Sequence, residues 1–519
     1  MSTLGALVLV FVVALGSTVS ADDVGTVHLV TSCGPETQRS FDHAVAVLHS
    51  FWYAHAAREF TAITQTDPRC AMGFWGLAMS HWYPLWFPPT PAALQAGAAA
   101  VERAKAIAKT DREAAWVDAV AAFYEDAGRV DHRSRALRYE AAMRRVHERY
   151  PDDSEAAVFY ALALDATAPP TDKTYANQRN AARILEPIFA AQPNHPGVAH
   201  YLIHSYDNPA LADRGLPAAR RYNQIAAAAP HALHMPSHIF TRLGLWEESI
   251  DSNRAATAAA RADGFLSEQL HSFDYITYAS LQMAKDAEAR EIVRQAAAIA
   301  PRGDTLAEAY ALAAIPARFA VERNRWDEAR ALAVRSSPYA QSAAITVFAR
   351  ALGFARTGDP EAAGREVKTL EGLRDQLTAT GDRYWSGQVE IQREAAAAWA
   401  AQAAGDEAQA VRLMRAATDL EDSTDKHPVT PGQLLPAREL LGDLLLVVGR
   451  SQEGVVEFER SLQNAPNRFR SFAGAAQAAQ RAGNAARARA YREKLVALCP
   501  EADTERAELT EARAALARP

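Results

Sequence analysis

Apolar residues recur at three- and four-residue spacing in nearly every window after Cys33, and no strand-length alternation persists. Ala, Leu, Arg and Glu dominate these windows, with Gly and Pro standing between them as punctuation. The uninterrupted runs are ~12–16 residues long, the length of an ordinary helix. The pattern predicts an all-α chain of helices joined by short turns and packed as helical hairpins.

The hairpins repeat. Residues 439–466 read ELLGDLLLVVGRSQEGVVEFERSLQNAP. In that unit Gly442 is the small residue of the first helix and Gly449 ends it. Gly454 and Phe458 sit four apart in the second helix, and Pro466 stops it. The next unit repeats the scheme with Gly483, Ala488 and Pro500, and the two prolines lie 34 positions apart (500 − 466). Upstream, Ala56, Phe60 and Pro68 hold the same spacing of four and eight. So do Tyr139, Met143 and Pro151, and then Ala181, Leu185 and Pro193. Ala218, Tyr222 and Pro230, and Ala289, Val293 and Pro301, continue the series. Small and aromatic residues at that spacing let two helices approach, and the proline blocks further helix.

This pattern resembles the tetratricopeptide repeat, whose period is ~34 residues. The resemblance covers roughly residues 41–510 and implies a helical-hairpin solenoid, an α-α superhelix. It divides into an array over 41–320 with a histidine-rich groove and a second array over 321–510. Residues 22–40 form an extension and 511–519 a tail. The strings at 41–53, 70–80, 200–207, 234–244 and 427–446 resemble a group of secreted bacterial tetratricopeptide proteins. That likeness implies architecture and no substrate.

The chain has 519 residues and a formal net charge of −7. An acidic balance argues against a general nucleic-acid binder. Residues 4–15 form a short apolar run, and Val19-Ser20-Ala21 supplies small residues for cleavage. We expect a signal peptide over 1–21, a mature chain from Asp22, and a periplasmic or secreted protein with no membrane span after cleavage. Of the three cysteines, Cys33 and Cys70 are the disulfide candidates and Cys499 is left over.

Catalytic signatures are missing: there is no GxG fingerprint, G-x-S-x-G elbow, phosphate loop or HExxH. Histidine is the unusual residue. There are 15, and seven fall between His195 and His271. His200 and His204 share a helix face, and His234 and His238 have the same spacing, with Pro236 opening the second helix. The repeat frame places these four, with His271, Asp274 and Tyr278, on first helices that line the concave groove in tetratricopeptide proteins. Five imidazoles and the Asp274 carboxylate suit Zn, Fe, Cu, Mn or Ni. Asp207, Glu308 and Tyr278 are further ligand-binding or orienting candidates. His43 and His49 are expected in the core and His55 at the surface; aromatic residues crowd 52–86, and His427 stands in a distant loop.

The reading is an exported scaffold whose groove binds a peptide, a protein or a small acidic ligand, through a histidine-based metal site. A metal-dependent oxidoreductase or hydrolase, and a purely structural module of the cell envelope, are the alternatives.

Overall fold

The computed structural model describes residues 23–86, 88–300 and 305–518, and no strand occurs among them. The expected signal peptide lies outside the described residues. Consecutive helices pack on one another along the whole chain. Arg383–Ala403, for example, lies between Pro360–Ala379 and Glu407–Asp422.

The repeat shows most clearly near the C-terminus. Ser451–Asn464 and Ala485–Leu498 are both 14-residue helices, and their starts are 34 positions apart (485 − 451). Each follows a turn through a left-handed glycine, Gly449 at φ 76° and Gly483 at φ 79°, where any Cβ would be strained. Phe458 fills the space that two glycines leave open. A Cβ on Gly442 or Gly474 would meet its ring at 2.8 and 2.3 Å. The small-and-aromatic spacing in the sequence is therefore a close-packing device. The chain is an all-α solenoid of helical hairpins of the tetratricopeptide type.

The solenoid curls until its C-terminal repeats meet its middle helices. Trp246 Nε1 donates to the Asn467 carbonyl (2.8 Å), the Phe469 amide donates to Gln282 Oε1 (3.1 Å), and Arg506 pairs with Asp286. At the junction the fully buried Arg468 bridges Glu322 (2.8 Å) and Glu439 (2.9 Å). Buried charge of this kind persists only when each member is paired.

The N-terminal segment is a strap. Val24, Val27 and Leu29 are buried, the Thr26 amide donates to the Asn194 carbonyl (3.0 Å), and Ser32 donates to the Glu113 carboxylate. Cys33 is joined to Cys70 across 37 positions, which ties the strap to helix Ala71–Met79. Cys499 is free and buried, and burial pushes its thiol up to about 12.

Candidate metal centre

Three successive repeats deliver the histidines. Helix Pro196–Tyr206 starts with proline at its first turn and is capped by the His195 ring, which accepts from the Val198 amide (3.3 Å). Its four-residue spacing brings His200 Nε2 to 3.1 Å from His204 Nε2. Helices Pro230–His234 and Pro236–Leu243 follow through Met235, whose dihedrals are helical, so His234 and His238 also share a face. Their Nε2 atoms are 3.0 Å apart. His271 projects from Leu266–Gln282.

These side chains form two groups, His200 with His204 and His231, and His234 with His238 and His271. Within each group one ligand atom per residue lies within 4.8 Å of the others. The groups are neighbours: the His231 and His234 ring centres are 5.8 Å apart, and those of His204 and His238 6.0 Å.

Several expectations need correction. Asp274 does not join the histidines; both its oxygens face the buried Arg318 guanidinium, the nearer at 2.7 Å. Tyr278 points to the same junction, where its hydroxyl accepts from Arg468 (2.9 Å). Tyr275, one turn after His271, reaches the centre instead, with its hydroxyl 3.3 Å from His238 Nε2. Glu308 is buried in the first turn of Leu306–Val321, outside both groups. Asp207 lies beside the second group, with its Oδ2 2.8 Å from His238 Nδ1. His43 is half-buried against Glu59 (2.8 Å) rather than in the core, and His55 binds Asp263 (2.7 Å).

The centre is not an open groove. His200, His231, His234, His238 and His271 are buried. Residues 426–433 cross over from the C-terminal half and close it. Lys426 donates to Asp207 (3.0 Å), Arg318 donates to the Gly432 carbonyl (2.7 Å), and the Pro428 and Thr430 carbonyls lie 3.4 and 3.3 Å from the Tyr275 hydroxyl.

Proton bookkeeping decides what the second group needs. His238 Nδ1 donates to Asp207 Oδ2 (2.8 Å). His234 Nδ1 is 2.6 Å from Asn253 Oδ1, and Asn253 Nδ2 donates to the Ser249 carbonyl, so the amide presents its oxygen and the ring donates. A neutral imidazole carries one proton. Both Nε2 atoms are therefore bare lone pairs, 3.0 Å apart. They repel unless a cation stands between them. The lone Tyr275 proton has three acceptors, none closer than 3.3 Å, and satisfies at most one nitrogen. Protonating the rings is opposed too: burial pushes His234 down to about 4 and His238 well below its ordinary value.

The first group differs in one respect, because among the described residues no acceptor holds His204 Nδ1 and its Nε2–H can donate to His200 Nε2 at 3.1 Å. His200 Nδ1 donates to the His49 carbonyl (2.7 Å), leaving its Nε2 as a lone pair. His231 Nδ1 donates to Glu268 Oε2 (3.1 Å). The buried Nε2 atoms of His231 and His271 have no hydrogen-bond partner among the described residues. Burial pushes His204 down to about 3 and holds His200 and His271 well below the usual imidazole range. A third cluster, His49, Glu155 and His195, is different. Glu155 accepts from both rings (2.9 and 2.6 Å), and His49 Nδ1 accepts from the Tyr201 hydroxyl (2.8 Å). Every ring nitrogen there is used, so this cluster supports the centre rather than holding an ion.

No family model and no curated protein matches this chain. Among solved structures it is similar to a human IFIT1 dimer with PPP-AAAA, at 10% identity over 88% of this chain and 89% of that one, with a TM-score of 0.40. It is also similar to the APC/C hetero-tetramer Cut9-Hcn1, at 10% identity over 93% and 96% with a TM-score of 0.30. A monomeric IFIT1 mutant with m7Gppp-AAAA matches at 12% identity over 83% and 90%, with a TM-score of 0.34. Likeness this loose carries no argument about ligand or chemistry.

The donor set fits a transition metal. Metal–imidazole bonds are about 2.0–2.1 Å, so nitrogens 3.0–3.1 Å apart suit adjacent ligands subtending about 90–100°. His238 and His231 donate their other nitrogen to a carboxylate, His200 to a carbonyl and His234 to an amide oxygen. Such partners fix the tautomer that leaves a lone pair for the ion. Asp207 also accepts from Arg242 (2.7 Å) and Lys426, which hold its carboxylate well below its ordinary range against the desolvation of burial.

Proposed function

We propose that this chain is an exported helical-repeat protein that holds two transition-metal ions, one in each three-histidine group, and uses them to bind and activate a small ligand. The observation that carries this is the His234–His238 pair. Two rings already committed as donors turn their lone pairs on each other at 3.0 Å. An all-imidazole set favours Cu or Zn over Mn, which prefers oxygen. Three protein ligands leave a coordination position open on each ion, as in catalytic rather than structural sites. This favours the metal-dependent enzyme over a groove that clamps an acidic ligand. Imidazoles pushed down to about 3 and 4 stay neutral near pH 7 and offer an anion no charge.

Export rests on the apolar segment at 4–15, and the Cys33–Cys70 bridge supports an oxidising compartment. Protein recovered from the periplasm should begin at Asp22.

The test is elemental mass spectrometry on mature protein purified without chelator or histidine tag, beside a His234→Ala/His238→Ala variant. About two equivalents per chain, falling to about one in the variant, are expected. Metal-free protein, or equal metal in the variant, would end the reading.

A further inference from the structure

A cavity of about 620 Å³ opens beside His231 and His271, one histidine from each group. Aromatic rings wall it. The Trp86 ring centre is 5.3 Å from that of His231 and 5.6 Å from that of His271. Phe51 stacks on Tyr53 at 5.2 Å, and Tyr83 meets Tyr53 edge-on at 4.9 Å. Trp52, Tyr53, Tyr83 and Trp86 are only half-buried, so the cavity is reached from solvent.

Two further observations set it apart from ordinary core. Phe51 (φ 52°), Tyr83 (φ 60°) and Leu85 (φ 72°) all hold left-handed backbone, a conformation that non-glycine residues keep only where the surroundings impose it. Glu268, 3% exposed, lines the cavity and gives one oxygen to His231, while its Oε1 is buried with no hydrogen-bond partner among the described residues. A buried acceptor left without a donor is costly unless a ligand supplies one.

We propose that the cavity binds a small aromatic molecule carrying a hydroxyl group, a phenol, with its ring against Trp86 and Tyr53 and its hydroxyl donating to Glu268 Oε1 beside the histidine groups. Flat aromatic walls select a planar ring over a saturated one by offset stacking. The lone carboxylate oxygen selects a donor over an ether or a hydrocarbon. The inference deepens the metal-centre reading by naming its ligand class, yet the ring contacts do not need the ion.

The probe is 4-nitrophenol, titrated into full-length mature protein and followed by its absorbance and by tryptophan fluorescence, with metal measured in every sample. Binding that phenol displaces and cyclohexanol does not is expected. Trp86→Ala should weaken it about tenfold or more with metal content unchanged, and Glu268→Gln should weaken 4-nitrophenol more than nitrobenzene. No binding to wild type, equal competition by cyclohexanol, or unchanged affinity in metal-replete Trp86→Ala would overturn the proposal. Metal-free wild type that still binds the ring in a Trp86-dependent way would retain the cavity and remove the metal centre.

Discussion

Acidification should weaken the metal-free protein through His204 in a way that one substitution removes. The ring is pushed down to about 3 in the folded chain by burial, against an ordinary value of 6.5. Between those two pH values the unfolded chain binds this proton and the folded chain does not. The stability contribution is therefore complete above about pH 6.5 and is lost as pH falls towards 3. One proton of difference is worth about 1.4 kcal/mol per pH unit, so by about pH 4.5 the loss from this ring alone is of the order of 3 kcal/mol. That is a large part of a typical total of about 5–15 kcal/mol. His204→Gln keeps a polar side chain of similar length and removes the titration. Urea denaturation of metal-free wild type and variant, followed by far-ultraviolet circular dichroism at steps from about pH 7.5 to 4.5, gives two curves whose difference removes every group that does not couple to His204. The curves should converge or cross on the acid side, with wild type losing about 1.4 kcal/mol more per unit. Parallel curves would refute the reasoning, because they would mean that His204 takes up its proton as readily folded as unfolded.

Two other substitutions bear on the centre and on the strap. Asn253→Leu removes the oxygen that holds His234 by its Nδ1 (2.6 Å) and should weaken metal at the His234 group about 10–100-fold in competition with a chromogenic chelator, sparing the His231 group; equal loss at both sites would break the division into two groups. Cys33→Ser opens a loop of 37 positions and should cost about 4 kcal/mol by loop-closure entropy, read as a lower urea midpoint. A variant as stable as wild type would mean that the bridge does not constrain the chain.

The repeat was legible because helix packing writes itself locally. Gly442, Phe458 and Gly449 lie within one hairpin, and their meaning needs no distant residue. The histidines were half-legible for the same reason. Spacing of four put His200 with His204 and His234 with His238. It did not separate Tyr275 from Tyr278, since side chains four and seven positions after His271 both lie near its face, and only the curvature of the solenoid decides which meets Arg468. Asp274 carried a fitting charge, but Arg318, 44 positions away, already holds it. His231 had a local signal that went unused: with His234 and His238 it makes the three-and-four spacing of one helical face across Pro236. The burial of the centre had no local signal, because its cover comes from residues 426–433.

That cover sets an order of events. A chain that emerges N-terminus first presents every histidine of both groups once Leu266–Gln282 is out, while Lys426 is still 144 positions behind (426 − 282). During that interval the ligands are assembled and uncovered. After it, Lys426 seals Asp207 from one side, and the aromatic cavity remains as the entrance beside His231 and His271. On the proposed metal reading, ion capture would belong to biogenesis, before the cover from residues 426–433 has taken its place, and the finished protein should exchange its metal slowly.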